Sequence, residues 1–168
     1  MQKISKFDYI NPANSLKFKN KANRYRALPA DQGLLALGVR LVFDATPVIN
    51  NDYITYDALN IQFVVNRYCT LLLQCHATVK NVAAGTRLAV VGIYEGAGTP
   101  LVTNESTLTL NTGAGDTMGI ELITIKTFNA GDVFYLLGAC TLIDGDVGIL
   151  NSSTAVPPLT LETILYAK

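Results

Sequence analysis

From Gly33 onward the chain is a succession of strand-length runs, and no stretch repeats apolar residues at helical spacing. That property restricts the fold more than any other. "RYCTLLLQCHATV" places Cys69, Leu71, Leu73, Cys75 and Ala77 on one side of an extended chain. Thr70, Leu72, Gln74, His76 and Thr78 fall on the other side. "LGVRLVFD", "YITYDALNIQFVV", "RLAVVGIYE", "STLTLNT", "MGIELITIKTF", "DVFYLLGACTLI" and "PLTLETILYA" are rich in β-branched, aromatic and other apolar residues. Between them stand "NVAAGT", "GAGTP", "GAGD", "NAGD" and "DGDVG", which carry turn chemistry. Roughly eight strands spaced about 10–14 residues apart predict an all-β fold, a single jelly-roll sandwich of antiparallel strands.

Two of these runs are apolar on both faces. In one, Val133, Tyr135, Leu137 and Ala139 alternate with Phe134, Leu136 and Cys140; in the other, Ile120 and Leu122 alternate with Ile123 and Ile125. A two-layer sandwich has one inside face per sheet, so the second face needs cover. Another copy of the chain supplies it most simply. The expected contact between copies is Ile123, Ile125, Phe134, Leu136 and Tyr166.

The segment before Gly33 reads differently. Met1 to Ala30 holds seven basic residues against one acid, Asp8, for a net +6; the remaining residues hold six bases and twelve acids, for −6. Scattered apolar residues are interleaved with Lys, Arg and Asn, and Pro12 and Pro29 discourage a long helix. The expected division is an extended basic attachment arm over residues 1–32 and a jelly-roll domain over residues 33–168. Lys17, Lys19, Lys21, Arg24, Tyr25 and Arg26 are the candidate docking residues of that arm. The same cations would suit phosphates, with Tyr25 and Phe18 to stack on bases. The acidic body and modest cluster favour a protein surface over nucleic acid, either a shell protein or a neighbouring subunit.

"TFNAGDVFYLLG", Thr127 to Gly138, is the most specific stretch. Asn129-Ala130-Gly131-Asp132 forms a turn in which Gly takes φ > 0 and Asp bonds neighbouring amides. This stretch resembles the penultimate hairpin of the trimeric jelly rolls related to tumour necrosis factor and the complement globular heads. "RYCTLLLQCHATV" is similar to an early strand of that family, and "STAVPPLTLETILYAK" to its last strand. The resemblance spans roughly Ala58 to Lys168 and implies trimerisation. The chain has neither a G-X-Y stalk nor the full aromatic-and-glycine signature of the animal proteins. It resembles instead the form used by bacteriophage head fibres, spikes and decoration proteins.

The residues that carry chemistry elsewhere are sparse here. His76 is the one histidine and falls mid-strand beside Gln74 and Thr78, a structural position. "GAGDTMG" has glycines but neither the Lys-Ser/Thr of a P-loop nor the spacing of a dinucleotide fingerprint. Asp144 and Asp146 offer two oxygens with too few acids nearby for a calcium loop. Glu95, Glu105 and Glu121 are candidate carboxylates for glycoside chemistry that sequence does not bring together. Cys69 and Cys75 lie six positions apart on one strand, about 20 Å, and do not bond to each other. No catalytic residue, cofactor or metal ligand is expected, and enzyme activity is not expected.

No apolar run reaches the roughly 18 residues of a membrane span. "MQKISKFDYI" has no apolar signal core. The expected function is a virion structural protein, a capsid decoration, head-fibre or spike subunit, assembled in the host cytoplasm. It would form a trimer and bind the shell through residues 1–32. Two alternatives stand beside it: a pentameric vertex protein and a receptor- or carbohydrate-binding β-sandwich module. The absence of Trp disfavours a sugar platform.

Overall fold

The computed structural model describes residues 18–26, 31–47, 52–96, 101–110, 114–115, 117–140, 147–149 and 159–166. Side chains are described throughout these, except over 18–26 (where only Tyr25 is), over 101–110 and at Tyr166. All the regular structure is strand: β1 Phe18–Arg26, β2 Gln32–Gly33, β3 Val39–Arg40, β4 Ile54–Asp57, β5 Gln62–Val65 and β6 Cys69–Asn81, then β7 Arg87–Glu95, β8 Leu101–Leu110, β9 Thr117–Phe128, β10 Val133–Cys140, β11 Val147–Ile149 and β12 Thr160–Tyr166. They form two antiparallel sheets. The first runs β1-β12-β6-β11-β2, with β9 on the other side of β6. The second runs β4-β5-β10-β7-β8, with β3 beside β10. The expected jelly-roll sandwich is the observed one.

Alternation explains why the two layers pack. On β6 the inward positions Cys69, Leu71, Leu73, Cys75, Ala77 and Val79 are all buried. Ala89, Val91 and Ile93 of β7 and Phe134, Leu136 and Cys140 of β10 are buried in the same core cluster. An aromatic group centred on Phe63 fills one end of the core, with ring centroids of Tyr56 at 4.9 Å, Phe134 at 5.1 Å and Phe43 at 5.3 Å. The Phe43 amide donates to the Tyr56 hydroxyl at 3.0 Å, which satisfies that polar atom inside the cluster. Gly138 leaves room for Leu34, whose Cδ2 would stand 2.6 Å from any Cβ placed there.

Three expectations change. Within the expected arm over 1–32, Phe18–Arg26 is a strand hydrogen-bonded to β12 over Ala22↔Ile164 to Arg26↔Thr160. Tyr25, expected to dock, is turned into the core, 1% exposed and edge-to-face with Phe63 at 5.0 Å. The segment over 1–17 lies outside the described residues, as does Lys17.

The second change concerns β10. Phe134 and Leu136, expected between copies, are 0% and 1% exposed inside the chain's own sandwich. The opposite face of β10 is the outer one, and this chain covers much of it. Tyr135 is buried under the Arg40 guanidinium, 3.9 Å above its ring, and stacks on Tyr94 at 5.9 Å. The third change is that "YITYDALNIQFVV" is a hairpin rather than one strand. Asp57 turns it by accepting from the amides of Leu59 and Asn60 and from the Asn60 side chain at 2.6 Å.

The turn before β10 is as expected. Gly131 has φ 89°, and the Asn129 amide donates to Asp132 Oδ2 at 2.7 Å. Gly131 N–H also donates to Val65 O, and Val65 N–H to Asp132 O, which locks the turn to β5. No helix among the described residues is long and apolar enough to cross a membrane.

Candidate functional site

Because β6 alternates, its polar-side residues Thr70, Leu72, Gln74 and His76 all present on the outer face of the first sheet. The register places neighbours beside each. Leu72 lies between Ile125 of β9 and Ile164 of β12, and Gln74 between Ile123 and Glu162. His76 lies between Glu121 and Thr160, and Thr70 between Thr127 and Tyr166. Across β12, the backbone of β1 sets Ala22 opposite Ile164, Arg24 opposite Glu162 and Arg26 opposite Thr160.

The result is an apolar band flanked by polar pairs. Ile123 and Ile125 are 52% and 54% exposed, adjacent outward positions on one strand. Leu72 and Ile164 are half-buried and continue the band across two strands. On one flank the hydroxyls of Thr70 and Thr127 share a hydrogen bond of 2.8 Å. On the other, Gln74 Nε2 donates to Glu121 Oε1 at 2.8 Å, and His76 Nε2 stands 3.5 Å from the same oxygen. Isoleucine pairs held in water by a rigid sheet are a surface suited to a second apolar surface.

Of the expected contact residues, the structure brings Ile123 and Ile125 together on this face and sends Phe134 and Leu136 inside. Tyr166 ends β12 at the row of Thr70 and Thr127. Leu72 and Ile164 were missed, although each alternates with the buried residues on either side of it in its own strand. Of the expected docking residues, Lys19, Lys21, Arg24 and Arg26 lie on the edge strand β1.

The other candidate groups stay apart. Glu95 pairs with Lys126 Nζ at 2.7 Å, an ion pair that joins β7 of one sheet to β9 of the other. Glu121 is on the outer face, so these two carboxylates do not form a catalytic pair. Glu105 lies on β8 opposite Gly92. Burial pushes the Cys75 thiol up to about 12, and Cys69 is raised by the same cause, so both are core thiols with little thiolate. Among the described residues no group of three potential metal ligands gathers. Asp144 and Asp146 lie outside the described residues. Ala114 and Gly115, within "GAGDTMG", form a turn with Gly115 at φ 99°.

One other exposed group stands out, where β5 passes to β6. Arg67 sits over the Tyr53 ring at 4.5 Å and pairs with Asp52 at 3.6 Å, while the next residue, Tyr68, is 64% exposed. Asn66 Nδ2 anchors this corner to Asp52 O and Thr55 Oγ1.

The sequence matches no known family model and no curated protein. Solved structures do match. The crystal structure of murine APRIL at pH 5.0 superposes with a TM-score of 0.60 at 11% identity, covering 86% of this chain and 97% of that one. At that identity the likeness shows the fold alone, an antiparallel jelly-roll sandwich.

Proposed function

We propose that this chain is an assembly subunit, a jelly roll that joins copies of itself into a trimer through the outer face of its first sheet. The observation that carries this reading is the apolar band of Ile125, Leu72 and Ile164 with Ile123 beside it, exposed on the sheet that includes the longest strand pairing. Four aliphatic side chains on a flat, hydrogen-bonded surface lose water without any backbone rearrangement. The tumour-necrosis-factor-like architecture supports the trimeric version. Sedimentation equilibrium of the full chain tests it. A trimer mass is expected, a pentamer mass would move the reading to a vertex-type subunit, and a monomer would sink it.

The proposed setting is a viral particle, where the subunit decorates the shell or forms a fibre or spike. The charge split supports this: the first thirty residues carry +6 and the rest −6, so a basic leading segment precedes an acidic body. The proposed role is structural rather than enzymatic. Attachment through the basic residues should weaken as salt rises, because exposed charges are screened over about 8–10 Å. Binding of the full chain to particles that resists molar salt would transfer the role to the apolar residues of that segment.

A receptor- or ligand-binding role is the second reading. The corner of Arg67, Tyr53 and Tyr68 favours it, since Tyr and Arg are the residue types that most often anchor contacts. Loss of ligand binding on Tyr68→Ala with the oligomer intact would establish it over the purely structural role.

A further inference from the structure

We propose that self-association of this chain takes up a proton at His76, so that copies hold together more tightly as pH falls through the histidine range. The inference rests on the reading that the outer face of the first sheet is the contact between copies.

Glu121 is the group that demands the proton. Its carboxylate accepts from Gln74 at 2.8 Å and has His76 Nε2 at 3.5 Å. In the single chain its side chain is 50% exposed and that of His76 32%, so water shares in solvating both. A second copy laid over Ile123, two positions along β9, removes that water. A desolvated carboxylate is costly unless a cation or further donors replace its hydration. Gln74 supplies one neutral donor. An imidazolium at His76 supplies both a charge and a donor; a neutral imidazole supplies at most a weak, long bond.

The other charges around His76 leave Glu121 dependent on it. On β9 the facing charge is Glu121 itself. Lys126 belongs to the inward set and is bonded to Glu95 at 2.7 Å. On β12 the residue opposite His76 is the uncharged Thr160, and Glu162 lies one row away. On β1 the register sets Arg24 opposite Glu162 and Arg26 opposite Thr160. On β6 itself Lys80 is the next charge, beyond Thr78. β1 and β9 are separated by three strand spacings, about 14 Å.

The sign follows from the count of protons. The assembled state binds more protons than the separate chains, so the association constant rises as pH falls and is lost as pH rises. The limit is tenfold per pH unit for each proton taken up per assembly.

The test is sedimentation equilibrium of the full chain at constant ionic strength from pH 5.5 to 8. Wild type, His76→Gln and Glu121→Gln are compared, with the thermal midpoint of each variant as a check on folding. A wild-type association constant that falls at least tenfold across this range, with flat profiles in both variants, bears the inference out. A flat wild-type profile, or variants that keep the wild-type slope, overturns it. If Ile123→Asp separates the copies and the wild-type profile is flat, the proton inference fails and the interface reading stands. A chain that is monomeric at every pH removes the interface and this inference together.

Discussion

The rings of Tyr25 and Phe63 meet edge-to-face at 5.0 Å, and this contact ties the basic leading segment to the middle of the aromatic core. Tyr25 is on the edge strand of one sheet and Phe63 on β5 of the other, so the pair bridges the two layers. Truncating a buried aromatic to Ala costs about 3–5 kcal/mol. Tyr25→Ala should therefore lower the unfolding free energy, read from denaturant titration, by an amount in that range. A chain beginning at Gly33, which lacks β1 and Tyr25, should not fold cooperatively. Equal melting of the Gly33 chain would show that β1 is dispensable.

The same residue sets an alkaline limit. Burial pushes the Tyr25 hydroxyl up to about 12, while a bond with the Tyr56 backbone offsets a smaller part. Tyr56 is raised as well, again by burial. In the unfolded chain both ionise near ~10. The stability they contribute is therefore complete below pH 10 and lost as pH rises from 10 to 12. Thermal midpoints measured at half-unit steps from pH 9 to 12 should drop over that window. Tyr25→Phe should shrink the drop, and an undiminished drop in that variant would assign the effect elsewhere.

These two residues also show what was legible in the sequence. β6 was plain, because its alternation is nearly unbroken over thirteen residues. The turn at Gly131 was plain from its residue types. β1 was hidden, because "FKNKANRYR" offers few apolar residues besides Tyr25 and so shows no clear alternation. The hairpin at Asp57 was hidden because its turn lacks glycine and uses Ile61 at φ 50° instead. On β10 both faces are apolar, so periodicity does not decide which is inside. Arg40 and Tyr94 decide it by covering Tyr135, and neither is near it in sequence.

Gly138 is a close-approach position. A Cβ there would stand 2.6 Å from Leu34 Cδ2 and 3.1 Å from Leu41 Cδ2, and both leucines are buried. Gly138→Ala should destabilise by about 1–3 kcal/mol. Adding Leu34→Val should recover part of the loss. A double-mutant cycle on denaturant unfolding reads the coupling, and additive costs would mean that the two sites do not touch.

Ile61 holds a left-handed backbone, unfavourable for a β-branched residue by about 1–2 kcal/mol. Arg40 Nη1 donates to the neighbouring Asn60 O at 2.6 Å and helps hold this turn. Ile61→Asn should relieve the strain and raise the thermal midpoint by about 2–4 °C. A lower midpoint would mean that the half-buried isoleucine contributes more by packing than its backbone costs.

Ile123 and Leu136 separate assembly from folding. Both are aliphatic residues on strands that read as apolar on two faces, yet Ile123 is 52% exposed and Leu136 1%. An aspartate at Leu136 places a charge among Ile93, Leu41 and Phe134, with no cation among the described core residues to meet it. Leu136→Asp should abolish cooperative folding. An aspartate at Ile123 stands in water in the single chain, so Ile123→Asp should leave the monomer's melting within about 0.5 kcal/mol. In an assembly built on this face, the same carboxylate would be buried beside Glu121 on its own strand, adding a second negative charge where one already needs compensation. Ile123→Asp should therefore sediment as a folded monomer. Retention of the wild-type oligomer by Ile123→Asp would remove this face from the assembly and return the question to the corner of Arg67 and Tyr68.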